Sequence, residues 1–214
     1  MQQPHVYYIS QGSTAEQHLE HIKKMVDAGV NWVQLRLKNT PKKQWLQIAL
    51  DASAYCRQNQ VHFIVNDDVE IAKAVDATGV HLGKADQDPI IARSILGSTK
   101  LIGGTANTWE DCKVLMAKKV DYIGLGPLRY TTTKKNLSPF LGLESYHTIV
   151  EKMQLETKPV PIIAIGGITL SDIAPLRDAG VWGIALSGSL HQDNNYHTIQ
   201  TIQETFKSTP SNEY

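Results

Sequence analysis

Cysteine is nearly absent from this 214-residue chain: there are two, Cys56 and Cys112. They lie far apart without CxxC spacing, which argues against a disulfide framework, and no His/Cys cluster has zinc spacing. An excess of either charge is missing too, since 21 Lys and Arg balance 21 Asp and Glu. A neutral chain without a basic run carries no footprint of nucleic-acid binding and no polybasic arm for a membrane surface. No apolar run approaches the roughly 20 residues of a membrane span. The opening segment, MQQPHVYYIS, lacks the basic and apolar regions of a signal peptide. No Pro-, Gly- or Ser-rich linker divides the chain. These absences lead to the expectation of one soluble, cytoplasmic domain over 1–214, with 206–214 as a frayed tail. They leave the oligomeric state open, a homo-oligomer included.

What is present is a rhythm. Short apolar or β-branched runs recur at His5–Ile9, Asn31–Leu35, Val61–Val65, Gly79–Leu82, Leu101–Gly104, Asp121–Gly126, Val160–Ile165 and Gly183–Leu186. Each is apolar rather than alternating, as a parallel strand buried on both faces should be. Helical patterns fill the gaps. Ser13 with Glu16 reads as a capping box, and Thr40 as the cap of a second helix with Pro41 in its first turn. Asp88-Pro89, Thr108 with Asp111, and Thr169 with Asp172 read as further helix starts. Asp27-Ala28-Gly29, Asp76-Ala77-Thr78-Gly79 and Asp178-Ala179-Gly180 read as one repeated C-terminal device, with glycine able to take φ > 0. Eight strands alternating with helices predict the α/β class and a single (β/α)8 TIM barrel.

In such a barrel the chemistry lies beyond the C-terminal strand ends. After the second strand, Gln34, Arg36 and Lys38 alternate onto one face. Asn66 and Asp67 follow the third, Gly83, Lys84 and Asp86 the fourth, and Thr105 and Asn107 the fifth. A polar run from Thr131 through Thr133 to Lys134 and Lys135 follows the sixth, Gly166-Gly167 the seventh, and Ser187-Gly188-Ser189 the eighth. Asp67 and Asp86, hard oxygen ligands in small number, suit Mg²⁺; the bland alternative is that each caps the helix after it. Arg36, Lys38 and Lys134 suit phosphate oxygens. The small residues after strands seven and eight suit a phosphate bound by backbone N–H groups. His81 reads as a packed barrel residue, and His147, His191 and His197 as surface. The four tryptophans read as packing residues, and Tyr130 as a pocket-lining or anchoring residue of the loop.

Gln34-Leu-Arg36-Leu-Lys38, Asn66-Asp67, His81-Leu-Gly-Lys-Ala-Asp86, Gly124-Leu-Gly-Pro127 with Thr131-Thr-Thr133-Lys134, Ile165-Gly-Gly-Ile168 and Leu186-Ser187 together resemble the thiamine-phosphate synthase family from about Val6 to Leu190. The resemblance implies a Mg²⁺-dependent transferase of thiamine biosynthesis with two small-molecule partners, a hydroxymethylpyrimidine pyrophosphate and a hydroxyethylthiazole phosphate. It implies Asp67 and Asp86 as metal ligands, and Arg36, Lys134 and Thr105 as catalytic groups. Gln34, Arg36, Lys38, Asn66, Thr105 and Lys134 would hold the pyrimidine and its pyrophosphate; Thr131, Thr133, Gly167, Leu186 and Ser187 would hold the thiazole phosphate.

The chain departs from the family pattern in places. Leu37 stands where Glu is usual, Asp68 where Arg often follows, Lys84 for Gln, Thr105 for Ser and Tyr130 for Pro. Lys84 is expected to restore the positive charge missing at Asp68. The alternatives are a thiazole tautomerase, a non-catalytic thiamine-phosphate-binding relative, and an unrelated barrel isomerase using Asp67 and Asp86 as an acid/base pair.

Overall fold

A computed structural model describes residues 3–130, 140–191 and 195–207. Among these residues, strands β1 (Val6–Ile9), β2 (Trp32–Leu35), β3 (His62–Asn66), β4 (Gly79–Leu82), β5 (Leu101–Ala106), β6 (Tyr122–Leu125), β7 (Ile162–Ile165) and β8 (Gly183–Leu186) form a closed barrel. Every pairing is parallel, and β8 returns to β1. Helices α1 (Ala15–Asp27), α2 (Lys42–Gln58), α3 (Val69–Ala74), α4 (Pro89–Leu96), α5 (Trp109–Ala117), α6 (Gly142–Gln154), α7 (Ile173–Asp178) and α8 (Asn195–Lys207) alternate with the strands. None is long and apolar enough to cross a membrane. Short 3₁₀ turns at Leu170–Asp172 and Gly188–His191 precede α7 and α8.

The strands are apolar throughout because both of their faces are covered. Tyr7, Ile9, Trp32, Ile64, Tyr122, Ile163, Trp182 and Ala185 fill the interior. Tyr8, Val33, Val65 and Ala164, one residue away in each strand, pack instead into the helix-facing shell, as period-two geometry requires.

Several helix starts lie where expected. Asp88 accepts from the Ile90 N–H (2.8 Å), and the Thr108/Asp111 and Thr169/Asp172 capping boxes both form. Three local expectations need correction. Thr14, not Ser13, caps α1 by accepting from the Gln17 N–H at 3.2 Å; Ser13 instead donates its N–H to the Gln17 side chain. Thr40 does not cap α2, because its hydroxyl turns back to the Lys38 carbonyl and Pro41 occupies the cap position. In the second C-terminal device the left-handed residue is Asp76 (φ 52°), while Gly79 already begins β4. Gly29 and Gly180 do take positive φ.

Candidate active site

The C-terminal strand ends collect the polar side chains at one mouth. On β2 and its extension, Gln34 is buried, Arg36 half-buried and Lys38 exposed. The Arg36 N–H is pinned by Ser10 Oγ at 2.9 Å. Leu37, on the opposite face, is buried among the helices. That explains how an apolar residue is accommodated where the family usually has Glu.

The carboxylates sort themselves by backbone geometry. Asp68 caps α3, accepting from the Ile71 N–H at 2.8 Å, and also pairs with Lys42 at 3.3 Å. Asp88 caps α4. Asp67 and Asp86 are therefore released from the capping role that each could have filled. Asp67 is held at φ 68°, with its N–H on the His81 carbonyl at 2.9 Å. A left-handed non-glycine residue costs of order 1–3 kcal/mol, and here it accompanies a carboxylate directed away from its own helix. Asp86 accepts from the Gly83 N–H at 2.6 Å.

The side chains of Asp67 and Asp86 face one another. Burial pushes the Asp67 carboxyl up, but the Asp86 hydrogen bond, the Lys38 ammonium and the Arg36 charge together hold it below the usual range. Asp86 is raised by burial and by the bond to Asp67. Two close carboxylates cannot both ionise without cost, and the opposite shifts of Asp67 and Asp86 reflect that repulsion. Lys38 is in direct contact with Asp67. Among the described residues no group of three or more His, Cys, Asp or Glu has metal-binding geometry. A groove of about 430 Å³ lined by Lys42, Trp45 and Gln87 flanks the mouth, sharing only Lys38 and Asp67 with the pair just described and its cations.

Beneath the mouth, Asn66 is buried at the end of β3, opposite His81 in the register. His81 contacts Thr105 Oγ1 (3.0 Å) through Nε2 and Tyr122 Oη (3.2 Å) through Nδ1. Its packed position inside the barrel agrees with its reading as a barrel residue. Lys84 does not stand as a simple replacement for a missing cation, because it is paired with Asp111 at 2.6 Å.

On the far side, Gly166 and Gly167 take φ of 90° and 69°. A Cβ on Gly167 would lie 2.8 Å from the Arg129 carbonyl oxygen, so glycine is required by space as well as by conformation. Ser187 Oγ reaches the Gln11 side chain at 3.4 Å, and Gly188 opens the following 3₁₀ turn. Leu186 is buried at the end of β8. Thr131, Thr133 and Lys134 lie outside the described residues.

Arg129 escaped the sequence reading. It grips Asp172 with both terminal guanidinium nitrogens, Nη2 to Oδ1 at 2.7 Å, and so ties the β6 loop to the start of α7. Burial raises the Asp172 carboxyl, but Arg129 and Thr169 outweigh it and hold the group below the ordinary range. A charged residue two positions after Gly126-Pro127 was the available signal. Tyr7 and Tyr122 lie within apolar strand runs, and their hydroxyls meet at 3.0 Å in the barrel interior, which strand periodicity does not reveal. His191 is not a free surface group: it bonds Tyr8 Oη at 2.9 Å and meets the His21 ring at 4.3 Å. Tyr130 is three-quarters exposed.

This geometry defines a parallel (β/α)8 barrel with a carboxylate pair, flanking cations and glycine-lined turns at one mouth. Residues 6–190 match the family described as thiamine monophosphate synthase. A thiamine-phosphate synthase of Flavobacterium johnsoniae is 44% identical over 198 residues, covering 92% of this chain and 93% of that protein. One of Bacteroides fragilis is 45% identical over 175 residues, covering 82% and 86%. The solved thiamine phosphate pyrophosphorylase of Pyrococcus furiosus superposes with TM-score 0.82 at 26% identity, over 95% of this chain and 96% of that one. A 3-hexulose-6-phosphate synthase structure shares the fold alone, with TM-score 0.65 at 12% identity over 94% and 98%. The chain belongs to the thiamine monophosphate synthase family.

Proposed function

We propose that this chain condenses a hydroxymethylpyrimidine pyrophosphate with a hydroxyethylthiazole phosphate, giving thiamine phosphate and pyrophosphate, with Mg²⁺ as cofactor and in the cytoplasm. Family membership across residues 6–190 carries the reading. The adjacent Asp67 and Asp86 carboxylates beside Lys38 and Arg36 support its metal and leaving-group parts.

The residues present fit a hard divalent cation. Two adjacent carboxylates would be held ionised by such an ion, leaving room for water and substrate oxygens as its further ligands. When bound, Mg²⁺ supplies Lewis-acid charge to the departing pyrophosphate oxygens. Arg36 supplies a bidentate grip and Lys38 a point charge on the same oxygens. Lys134 is proposed to add a third cation. Gln34, Asn66 and Thr105 orient the pyrimidine above a floor of buried aromatic rings that excludes water.

The C–O bond breaks first, and its electron pair leaves with pyrophosphate. The ring amino group stabilises the resulting pyrimidine-methyl cation, and the neutral thiazole nitrogen attacks with its own lone pair. No proton is abstracted, so no general base is required. The side chain's task is to stabilise charge as it develops on the leaving group, where one preorganised donor contributes about 3–4 kcal/mol. Ser187, Gly167 and the neighbouring N–H groups, with Thr131 and Thr133 from the loop, hold the thiazole phosphate, whose charge does not change.

Purified protein given both substrates should release pyrophosphate and form thiamine phosphate in equal amount, and a chelator should stop both. Release without the thiazole substrate, or undiminished after chelation, would overturn the coupling or the metal requirement respectively.

A further inference from the structure

Five polar side chains from five strands cross the barrel interior in one unbroken series. Gln34 Nε2 donates to Tyr7 Oη at 2.8 Å. Tyr7 Oη meets Tyr122 Oη at 3.0 Å. Tyr122 Oη meets His81 Nδ1 at 3.2 Å, and His81 Nε2 meets Thr105 Oγ1 at 3.0 Å. The barrel is shaped to admit them. A Cβ on Gly103 would fall 2.1 Å from the Tyr122 ring, and one on Gly124 would fall 3.0 Å from the His81 ring. Both ends of the series, Gln34 and Thr105, belong to the proposed pyrimidine site.

We propose that this series is a polarised relay running from Gln34 to Thr105, in which Tyr7, Tyr122 and His81 are positioning residues that make the Thr105 hydroxyl a donor toward the leaving pyrophosphate. The proposal rests on the synthase reading of the mouth.

The direction is set by Gln34 Nε2 donating to Tyr7, from which the remaining hydrogens are placed in turn. Tyr7 and Tyr122 are fully buried, and burial raises both hydroxyls far above the ordinary tyrosine value, so each keeps its one hydrogen. Tyr7 accepts from Gln34, and its hydrogen then goes to Tyr122. The Tyr122 hydrogen goes on to His81 Nδ1. A neutral imidazole that accepts at Nδ1 carries its hydrogen on Nε2, and that hydrogen goes to Thr105. The Thr105 oxygen is thereby an acceptor from below, and its own hydrogen turns to the mouth. Gln34 keeps its Oε1 as an acceptor. In the reverse order Thr105 would donate to His81 and present lone pairs to an anion, which is repulsive. Each bond in a buried chain polarises the next.

Two measurements decide it. Long-range proton–nitrogen NMR of ¹⁵N-histidine-labelled protein reads the ring tautomer without turnover, the His81 signals being those that move in Tyr122→Phe. An Nε2–H ring is expected; an Nδ1–H ring overturns the relay. Kinetics supply the second. Tyr122→Phe should lower kcat about tenfold, a factor typical of one mispointed hydrogen bond, with KM within about twofold. Thr105→Ser should keep near-wild-type kcat, whereas Thr105→Val should lose as much as Tyr122→Phe or more. Adding Tyr122→Phe to Thr105→Val should change nothing further; losses that multiply would sink the proposal. If the wild type forms no thiamine phosphate, the synthase reading fails, and the tautomer still reports on the relay.

Discussion

The two sides of the barrel mouth meet anions by opposite means. On the β2–β4 side, Arg36, Lys38, Asp67 and Asp86 concentrate formal charge, and the two carboxylates perturb one another in opposite directions. On the β7–β8 side, Gly166, Gly167, Ser187 and Gly188 offer small residues and turn amides. The difference follows the proposed chemistry. Charge develops on the leaving pyrophosphate, so donors there act more strongly in the transition state than in the ground state and raise kcat. The thiazole phosphate keeps its charge throughout, so its holders act on binding.

Substitutions on the two sides should therefore have different kinetic signatures. The largest effect is expected at Asp67→Asn, which should lower kcat by about 10³, corresponding to ~4 kcal/mol, and raise the Mg²⁺ concentration needed for half activity. A preserved Mg²⁺ dependence would place the metal elsewhere. Lys38→Ala and Lys134→Ala should each lose about 10²–10³ in kcat with folding unchanged by circular dichroism; a loss under about threefold would refute a transition-state role. Gly167→Ala should act on the other quantity. The positive φ and the Arg129 carbonyl oppose a Cβ at a cost of about 1–2 kcal/mol, so KM for the thiazole phosphate should rise about tenfold while saturating kcat stays within about threefold. A pure kcat effect would erase the distinction between the two sides.

Arg129→Met tests the strap beneath the neutral side. It should lower Tm by a few degrees without touching the charged side. Asp172 is depressed in the folded state, so its stabilising contribution is complete above the ordinary aspartate pKa and fades as pH falls through the lowered folded value. The Tm difference between Arg129→Met and wild type should accordingly shrink in acid. The smallest effect is expected at Lys84→Gln, a rise of about two- to threefold in KM for the pyrimidine substrate, since Lys84 is half exposed and already paired with Asp111. An unchanged KM would assign Lys84 wholly to Asp111.

Much of the barrel was legible in the chain. The bounds of β4 and β8 match the apolar runs of the sequence, because each run starts at a glycine and stops at a glycine or serine where the buried strand leaves the barrel. Errors fell where neighbouring residues compete for one local role. Ser13 and Thr14 can both cap a helix, and the choice depends on one extended residue at Thr14 (φ −128°, ψ 161°). At Asp67 and Asp68 the sequence left the capping role open, and the structure gives it to Asp68.

The sequence alone determined the alternation of strand and helix, the face shared by Gln34, Arg36 and Lys38, and the ring of polar strand ends, since each depends on a period of two or on nearest neighbours along the chain. Only the tertiary structure decided which aspartate caps α3, and which hydroxyls line up between Gln34 and Thr105. Tyr7 and Tyr122 are 115 positions apart and become hydrogen-bonded only when the sheet closes. Such a contact leaves no local periodicity to read, because it is set by the barrel's closure and by the space at Gly103 and Gly124 rather than by either strand.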